Sequence, residues 1–224
     1  MAQRKHGWQY MTVETFCLGD MQTNAYVVSL DGTPDCWIFD CPGDPQPLLE
    51  ALADRQAHPR GLYLTHAHVD HMAGIEEFRK AFPGVPVFQH KLEASWLSDP
   101  SANLSAWLGN AVTAAPAQGY VDEAQSLNLN QLVVKVLHLP GHSPGSVAYW
   151  FEAENELFSG DVLFRLGVGR WDFPGSDRDD LRRSLKRLCL LPDDTRVRPG
   201  HGGSTTVGRE KTSNPYLRSD EPWV

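Results

Sequence analysis

Thr65-His66-Ala67-His68-Val69-Asp70-His71 places four potential metal ligands within six residues, directly after the apolar run Gly61-Leu62-Tyr63-Leu64. With nine histidines in 224 residues, such a string arises by chance in about one chain in a thousand. The apolar run predicts a short buried strand over 61–65 whose end throws the following residues into a tight loop. His66 and His68, two apart in locally extended backbone, point the same way and can chelate one ion. Asp70 and His71 fall where the chain turns into a helix and address a neighbouring position. Neutral imidazole together with carboxylate suits Zn, Mn or Fe better than Ca or Mg. Such a cluster asks for two metals, and for further ligands elsewhere.

Three later stretches each end a predicted strand in a ligand-type residue beside glycine: Pro140-Gly141-His142, Ser159-Gly160-Asp161 and Pro199-Gly200-His201. Glycine permits the turn and a close backbone approach, so each stretch presents one side chain at a strand end. Any one of them alone reads as an ordinary loop. Together with the first cluster they give five His and two Asp, leaving His6, His58, His90 and His138 outside. That count fits two tetrahedral or five-coordinate ions sharing a carboxylate and a water.

The ordered set His66, His68, Asp70, His71, His142, Asp161, His201 resembles the metallo-β-lactamase superfamily, over nearly the whole chain. The resemblance implies a single domain over 1–224 of α/β (α+β) class. Its architecture would be a four-layer αββα sandwich: two mixed β-sheets face to face, helices outside and metals at one edge. It also implies that His66, His68 and His142 hold one metal and Asp70, His71 and His201 the other, with Asp161 bridging. Asp40 matches the strand-end Asp that supports such a site from behind the ligands.

Composition sets the remaining bounds. A hydrophobic content of 41% with 10% aromatics is that of a globular protein with a real core. The net charge of −8 argues against a nucleic-acid partner. Met1 to Trp8 is basic without an apolar segment behind it, and no run of 18 apolar residues occurs, which predicts a soluble cytoplasmic protein without a membrane partner. Cys17, Cys36, Cys41 and Cys189 lack C-x-x-C spacing and read as reduced thiols, with no role assigned.

The pattern predicts strands over 13–18, 24–30 and 36–40 in an antiparallel meander, then a helix started by Asp44-Pro45 and running to about 57. Beyond the His/Asp loop it predicts a helix over 72–82, a strand over 85–89 and a short helix over 92–97. Residues 98–119 form a long connection in which Trp107 reads as an anchor on the core in preference to a cover over substrate. Strands follow over 126–139, 146–152, 156–159 and 196–198. A helix over 177–190 carries Leu181, Leu185 and Leu188 on one face and a solvated basic run on the other.

Within the superfamily, Gly169-Arg170-Trp171-Asp172-Phe173-Pro174-Gly175 and the closing 208–216 stretch resemble small bacterial glyoxalase II-like hydrolases. The implied function is hydrolysis of S-lactoylglutathione or a related, glutathione-derived acyl thiol. A metal-bound hydroxide would attack the thioester carbonyl, with Asp70 and Asp161 as the catalytic carboxylates. The implied cofactors are two divalent ions, zinc first, with iron or manganese as the other options. Arg170 and Lys211 are the candidate anchors for a substrate carboxylate. Glyoxalase II carries a helical C-terminal domain with much of the glutathione site, which this sequence does not include; glutathione specificity is therefore a separate matter from hydrolysis. A β-lactamase reading is disfavoured, because those enzymes are exported and many have Cys where Asp161 stands. The alternative is a persulfide dioxygenase with a single iron at His66, His142 and Asp161.

Overall fold

The computed structural model describes residues 10–218, so the N-terminal stretch from Met1 to Trp8 and His6 lie outside the described residues. The first sheet opens as the expected antiparallel meander of β1 (Met11–Leu18), β2 (Thr23–Leu30) and β3 (Asp35–Phe39), and continues in parallel through β4 (His58–Tyr63), β5 (Val87–His90) and β6 (Gly119–Val121). The second sheet has antiparallel β7 (Ser126–Leu129), β8 (Leu132–His138), β9 (Val147–Phe151) and β10 (Glu156–Gly160). A two-strand ribbon, β11 (Leu163–Phe164) and β12 (Gly167–Val168), interrupts it before β13 (Arg196–Pro199) pairs parallel to β10 and β14 (Thr205–Thr206) closes the edge.

Side-chain alternation along these strands builds three apolar layers. In β3, Trp37 and Phe39 face the second sheet, meeting Tyr149, Phe151 and Phe158, while Cys36 and Ile38 face outward. Phe39 stacks on Phe158 with ring centroids 4.7 Å apart, at the middle of this inter-sheet core. On the outer side of the first sheet, Val27, Ile38 and Leu62 pack against α1 (Gln46–Asp54) and α3 (Ile75–Ala81) through Leu48, Leu52, Ile75 and Phe78. On the outer side of the second, Ala148, Leu157 and Val197 meet Leu181, Leu185 and Leu188 of α4 (Arg178–Leu188). Every residue of β2 is buried, and its centre, Ala25-Tyr26-Val27-Val28, is the apolar run expected of a strand covered on both faces. The four layers are those of the expected αββα sandwich.

Several elements differ from the sequence reading for physical reasons. The helix expected over 72–82 is two pieces, α2 (Val69–Met72) and α3, because Gly74 lies against the turn after β3. A Cβ at Gly74 would sit 2.2 Å from the Pro42 carbonyl oxygen. Asp44 does not cap α1; it adopts φ +54° and Pro45 occupies the cap without a side-chain bond. Residues 92–97 form 3-10 turns in place of a helix, and 126–139 is a hairpin turning at Asn130. Strands β6, β11, β12 and β14 were not visible in the pattern. Two short helices, α5 (Val207–Ser213) and α6 (Pro215–Arg218), end the described chain. All four cysteines are free thiols. No helix among the described residues is long and apolar enough to cross a membrane.

Candidate metal centre

The residues singled out in the sequence meet where five strands end. Asp40 follows β3, the 65–71 loop follows β4, His142 follows β8, Asp161 follows β10 and His201 follows β13. The loops are locked to one another by backbone bonds, Val147 N to Thr65 O at 2.8 Å, Gly200 N to Gly160 O at 2.9 Å and Asn24 N to Gly200 O at 2.7 Å. Close approach is why glycine is needed at two of these ends. A Cβ on Gly200 would lie 2.1 Å from Asp161 Oδ1, and one on Gly141, at φ +136°, would lie 2.2 Å from the Leu181 nitrogen.

Three nitrogens converge first. His142 Nε2 is 3.2 Å from His66 Nε2 and 3.0 Å from His68 Nδ1. Ligand atoms at about 2.0–2.1 Å from a tetrahedral zinc stand roughly 3.3 Å apart, so this spacing is that of one shared ion. Tautomers support it. His142 Nδ1 donates to the Arg170 carbonyl at 2.9 Å, which leaves Nε2 with its lone pair toward the cluster. Burial lowers the pKa of His66, His68 and His142, His68 to about 3, so all three offer neutral imidazole.

Asp70, His71 and His201 converge beside them. Asp70 Oδ2 lies 3.1 Å from His201 Nε2 and 3.4 Å from His71 Nε2. Asp161 stands between the groups, with Oδ1 3.3 Å from His71 Nε2 and Oδ2 3.4 Å from His201 Nε2 and 3.7 Å from His142 Nε2. Burial opposes charge on all four of these residues, but their attraction outweighs it. His71 is raised well above the usual histidine range and His201 to about 10, while Asp70 is held at about 2 and Asp161 well below the carboxylate range. His71 Nε2 and Asp161 Oδ1 are buried with no hydrogen-bond partner among the described residues. They face each other misaligned for a hydrogen bond and placed as two ligands of one ion would be. The donor set therefore fits metal.

Asp40 supports the centre from behind. Its Oδ1 accepts the Thr65 amide at 2.7 Å, and its Oδ2 accepts the Thr65 hydroxyl at 2.8 Å and His71 Nδ1 at 2.9 Å. Asp40 adopts φ +60°, a left-handed conformation that Asp tolerates better than most residues. The sequence reading missed further supports. Thr23 donates to Asp70 Oδ2 at 2.9 Å, and Asn24 and Tyr26 bond the Pro199 carbonyl at 3.0 and 2.6 Å, steadying the His201 loop. Glu93, fully buried, accepts the Ala67 amide at 2.7 Å, the Gly145 amide at 2.9 Å and the Ser143 hydroxyl. It thus clamps the His66/His68 loop to the His142 loop. Nothing in the short apolar pattern around it marked that carboxylate as special.

A cavity of about 440 Å³ opens over the cluster, with His68, Asp70, His142, Asp161 and His201 in its lining. Arg170 lines it, bonded through Nε and Nη2 to Asp172 at 2.8 Å each and lying over the Phe173 ring at 4.3 Å. Lys211 does not line it. Its ammonium is tied to Asp193 at 2.6 Å and to the Leu191 carbonyl at 3.4 Å, so it braces a loop and is no substrate anchor. Trp107 corrects a second expectation: it does not anchor its loop on the core but is 67% exposed and lines the cavity. Asn103 does the anchoring, donating to the Trp96 and Val112 carbonyls at 3.0 Å each.

A model of the metallo-beta-lactamase superfamily matches residues 18–201. The chain belongs to that superfamily. A curated hydroxyacylglutathione hydrolase, GloC of Haemophilus influenzae, is 32% identical, the match covering 93% of this chain and 99% of that one. The crystal structure of the BLEG-1 B3 metallo-beta-lactamase superposes with a TM-score of 0.88 at 41% identity, covering 93% of this chain and all of that one. That of TTHA1623 in a di-iron-bound form gives 0.80 at 38%, covering 91% and all of it respectively. The superfamily's fold thus accounts for both sheets and for the edge at which the His/Asp groups meet.

Proposed function

We propose that this protein is a metal-dependent thioester hydrolase. The observation that carries the reading is the set of converging groups His66/His68/His142, His66/His71/Asp161 and Asp70/His71/His201 at the floor of a substrate-sized cavity. His66, His68 and His142 would hold one divalent ion and Asp70, His71 and His201 a second, with the Asp161 carboxylate standing between the two sets. Zinc suits this N/O set first and iron next; the di-iron form of a structure 38% identical supports two sites. Bound ions supply activation of water near neutral pH and polarisation of the carbonyl oxygen.

The chain's own residues do the rest. The Arg170 carbonyl and the Asp40 carboxylate fix the rings of His142 and His71, so the ligand set is organised before substrate arrives. Asp70 and Asp161 stay ionised and orient the attacking water by accepting its hydrogen bonds. The water oxygen bonds to the acyl carbon, the carbon–sulfur bond breaks, and the departing thiolate takes up the proton. No Ser or Cys nucleophile is required, and Cys41, fully buried with its thiol pKa pushed up by burial, supplies none. The name of the GloC relative supports a thioester of glutathione as the first substrate to assay. A cytoplasmic location suits that substrate.

The test is metal content by plasma mass spectrometry on the purified protein, with S-lactoylglutathione hydrolysis, nitrocefin hydrolysis and oxygen uptake on glutathione persulfide measured on the same sample. Close to two metals per chain, thioester loss and no oxygen uptake support the proposal. One iron per chain with persulfide-dependent oxygen consumption refutes it in favour of a dioxygenase. Nitrocefin turnover without turnover of S-lactoylglutathione or of a simple alkyl thioester refutes it in favour of a lactamase.

A further inference from the structure

The walls of the cavity over the His/Asp centre are hydrocarbon. Trp107 and Leu108, 67% and 58% exposed, stand in them with Leu104, Val168 and Phe173. Their exposure is built in, since the 3-10 turn Ser105–Leu108 that carries them is pegged from beneath. Asn103 and Ser105 are fully buried; the Ser105 hydroxyl accepts the Val112 amide at 3.0 Å and the Asn103 carbonyl accepts the Val69 amide at 2.9 Å. Leu104 adopts φ +69°, a conformation disfavoured for a branched apolar residue, at the entry to the turn. A firmly held loop that presents a Trp and a Leu to solvent beside a reaction centre is a surface awaiting an apolar ligand.

Charge in the lining tells the same story. Outside the His/Asp cluster, Arg170 is the one cation among the described lining residues, already paired with Asp172 and lying over Phe173, and the acidic lining residues belong to that cluster. A glutathione moiety brings two carboxylates and an ammonium group, and among the described lining residues it finds one compensated partner.

We infer that the substrate is a thioester with a hydrocarbon acyl chain seated against Trp107, Leu108 and Phe173, its thiol half carrying at most one anionic group, toward Arg170. This rests on the thioesterase reading above and narrows its substrate class. The reaction is unchanged: water adds to the acyl carbon, the carbon–sulfur bond breaks, and a carboxylic acid and a thiol are released.

The experiment uses the metal-loaded protein and N-acetylcysteamine thioesters with acetyl, butanoyl, hexanoyl and octanoyl groups. S-lactoylglutathione and an acetyl series of lengthening alkyl thiols run in parallel. Full burial of a methylene is worth about fourfold in affinity; with half of each methylene covered, kcat/KM rises about twofold per methylene, or roughly 60-fold from acetyl to octanoyl. In the double variant Trp107→Ala/Leu108→Ala that rise shrinks to less than about tenfold, and both side chains are exposed, so the core is left intact. A second readout is independent of turnover: calorimetric binding of the matching ketones, in which a methylene replaces sulfur, to the metal-free protein shows the same chain-length slope and the same flattening. A flat acyl series, an unaltered slope in the double variant, chain-length dependence confined to the thiol half, or S-lactoylglutathione exceeding octanoyl tenfold overturns the inference. Absence of turnover on every thioester removes the reaction proposed above, while the ketone titration still decides the pocket: affinity independent of chain length overturns it.

Discussion

Glu93→Gln separates what a buried carboxylate contributes by its shape from what it costs by its charge. Burial raises the Glu93 pKa from 4.5 to about 7, although Ser143, Gly145 and Ala67 all donate to it. A folded-state pKa above the unfolded one means that the folded protein binds the extra proton. The contribution is therefore fully present below pH 4.5 and is lost as pH rises toward and through 7. Between pH 5 and pH 8 this lowers wild-type stability by about 2–3 kcal/mol, at roughly 1.4 kcal/mol per pKa unit. Glutamine does not titrate. Its carbonyl can replace the oxygen that accepts from Ser143 and Gly145, but its NH₂ then confronts the Ala67 amide, and an unsatisfied buried donor costs about 1–3 kcal/mol. At pH 5 the variant is thus the less stable by about that amount, and at pH 8 it draws level with or exceeds the wild type. Urea melts of both metal-free proteins at the two pH values give the double difference, in which titrations common to both cancel. A destabilisation equal at both pH values to within about 0.5 kcal/mol would refute the assignment of Glu93 as a buried, proton-binding clamp. The same variant frees the His66/His68 loop from the His142 loop, and an equilibrium chelator titration should show metal affinity reduced about 10–100-fold.

Asp40→Asn keeps a residue tolerant of the left-handed backbone but turns an acceptor of the His71 and Thr65 bonds into a donor; competition against a chromogenic chelator should give about 10–100-fold weaker binding of one ion, with the other little changed. Gly200→Ala drives a methyl group to within 2.1 Å of Asp161 Oδ1, so metal stoichiometry measured after dialysis should fall below that of the parent protein. Stripping metal with a chelator should abolish hydrolysis and lower stability by about 2.7 kcal/mol for each site emptied, roughly twice that for both, relative to protein held at a free-metal level 100 times each Kd, read by denaturant melts. With His71 and His201 raised above the usual range by Asp70, Asp40 and Asp161, both are charged at pH 7 in metal-free protein. Since imidazole binds metal only when neutral, loading should release a proton from each, visible as a buffer-dependent calorimetric enthalpy.

What the sequence made legible was whatever depends on neighbours along the chain. The seven His and Asp residues were found because each is set at a strand end by local turn chemistry, Gly beside His142, Asp161 and His201, and a two-residue alternation between His66 and His68. The leucines of α4 and the apolar runs of β2 and β3 announced their burial in the same way, through period and composition. What stayed hidden depends on contacts between distant segments. Gly74 splits the 69–81 helical stretch because the Pro42 carbonyl crosses it, and no local pattern records that crossing. Trp107 was assigned to the core because a Trp usually buries its area, and only the buried Asn103 and Ser105 beneath it show that the loop is held by its polar residues, with the aromatic displayed. Lys211 was offered as an anchor for its charge alone, and the three-dimensional position of Asp193 answers that charge before any substrate could. The reaction centre and the surface that selects its substrate therefore differ in legibility for one reason. Metal chemistry restricts residue type so narrowly that His and Asp betray themselves, whereas an apolar wall is made of the residues that build every core, and becomes informative only where the fold leaves it uncovered.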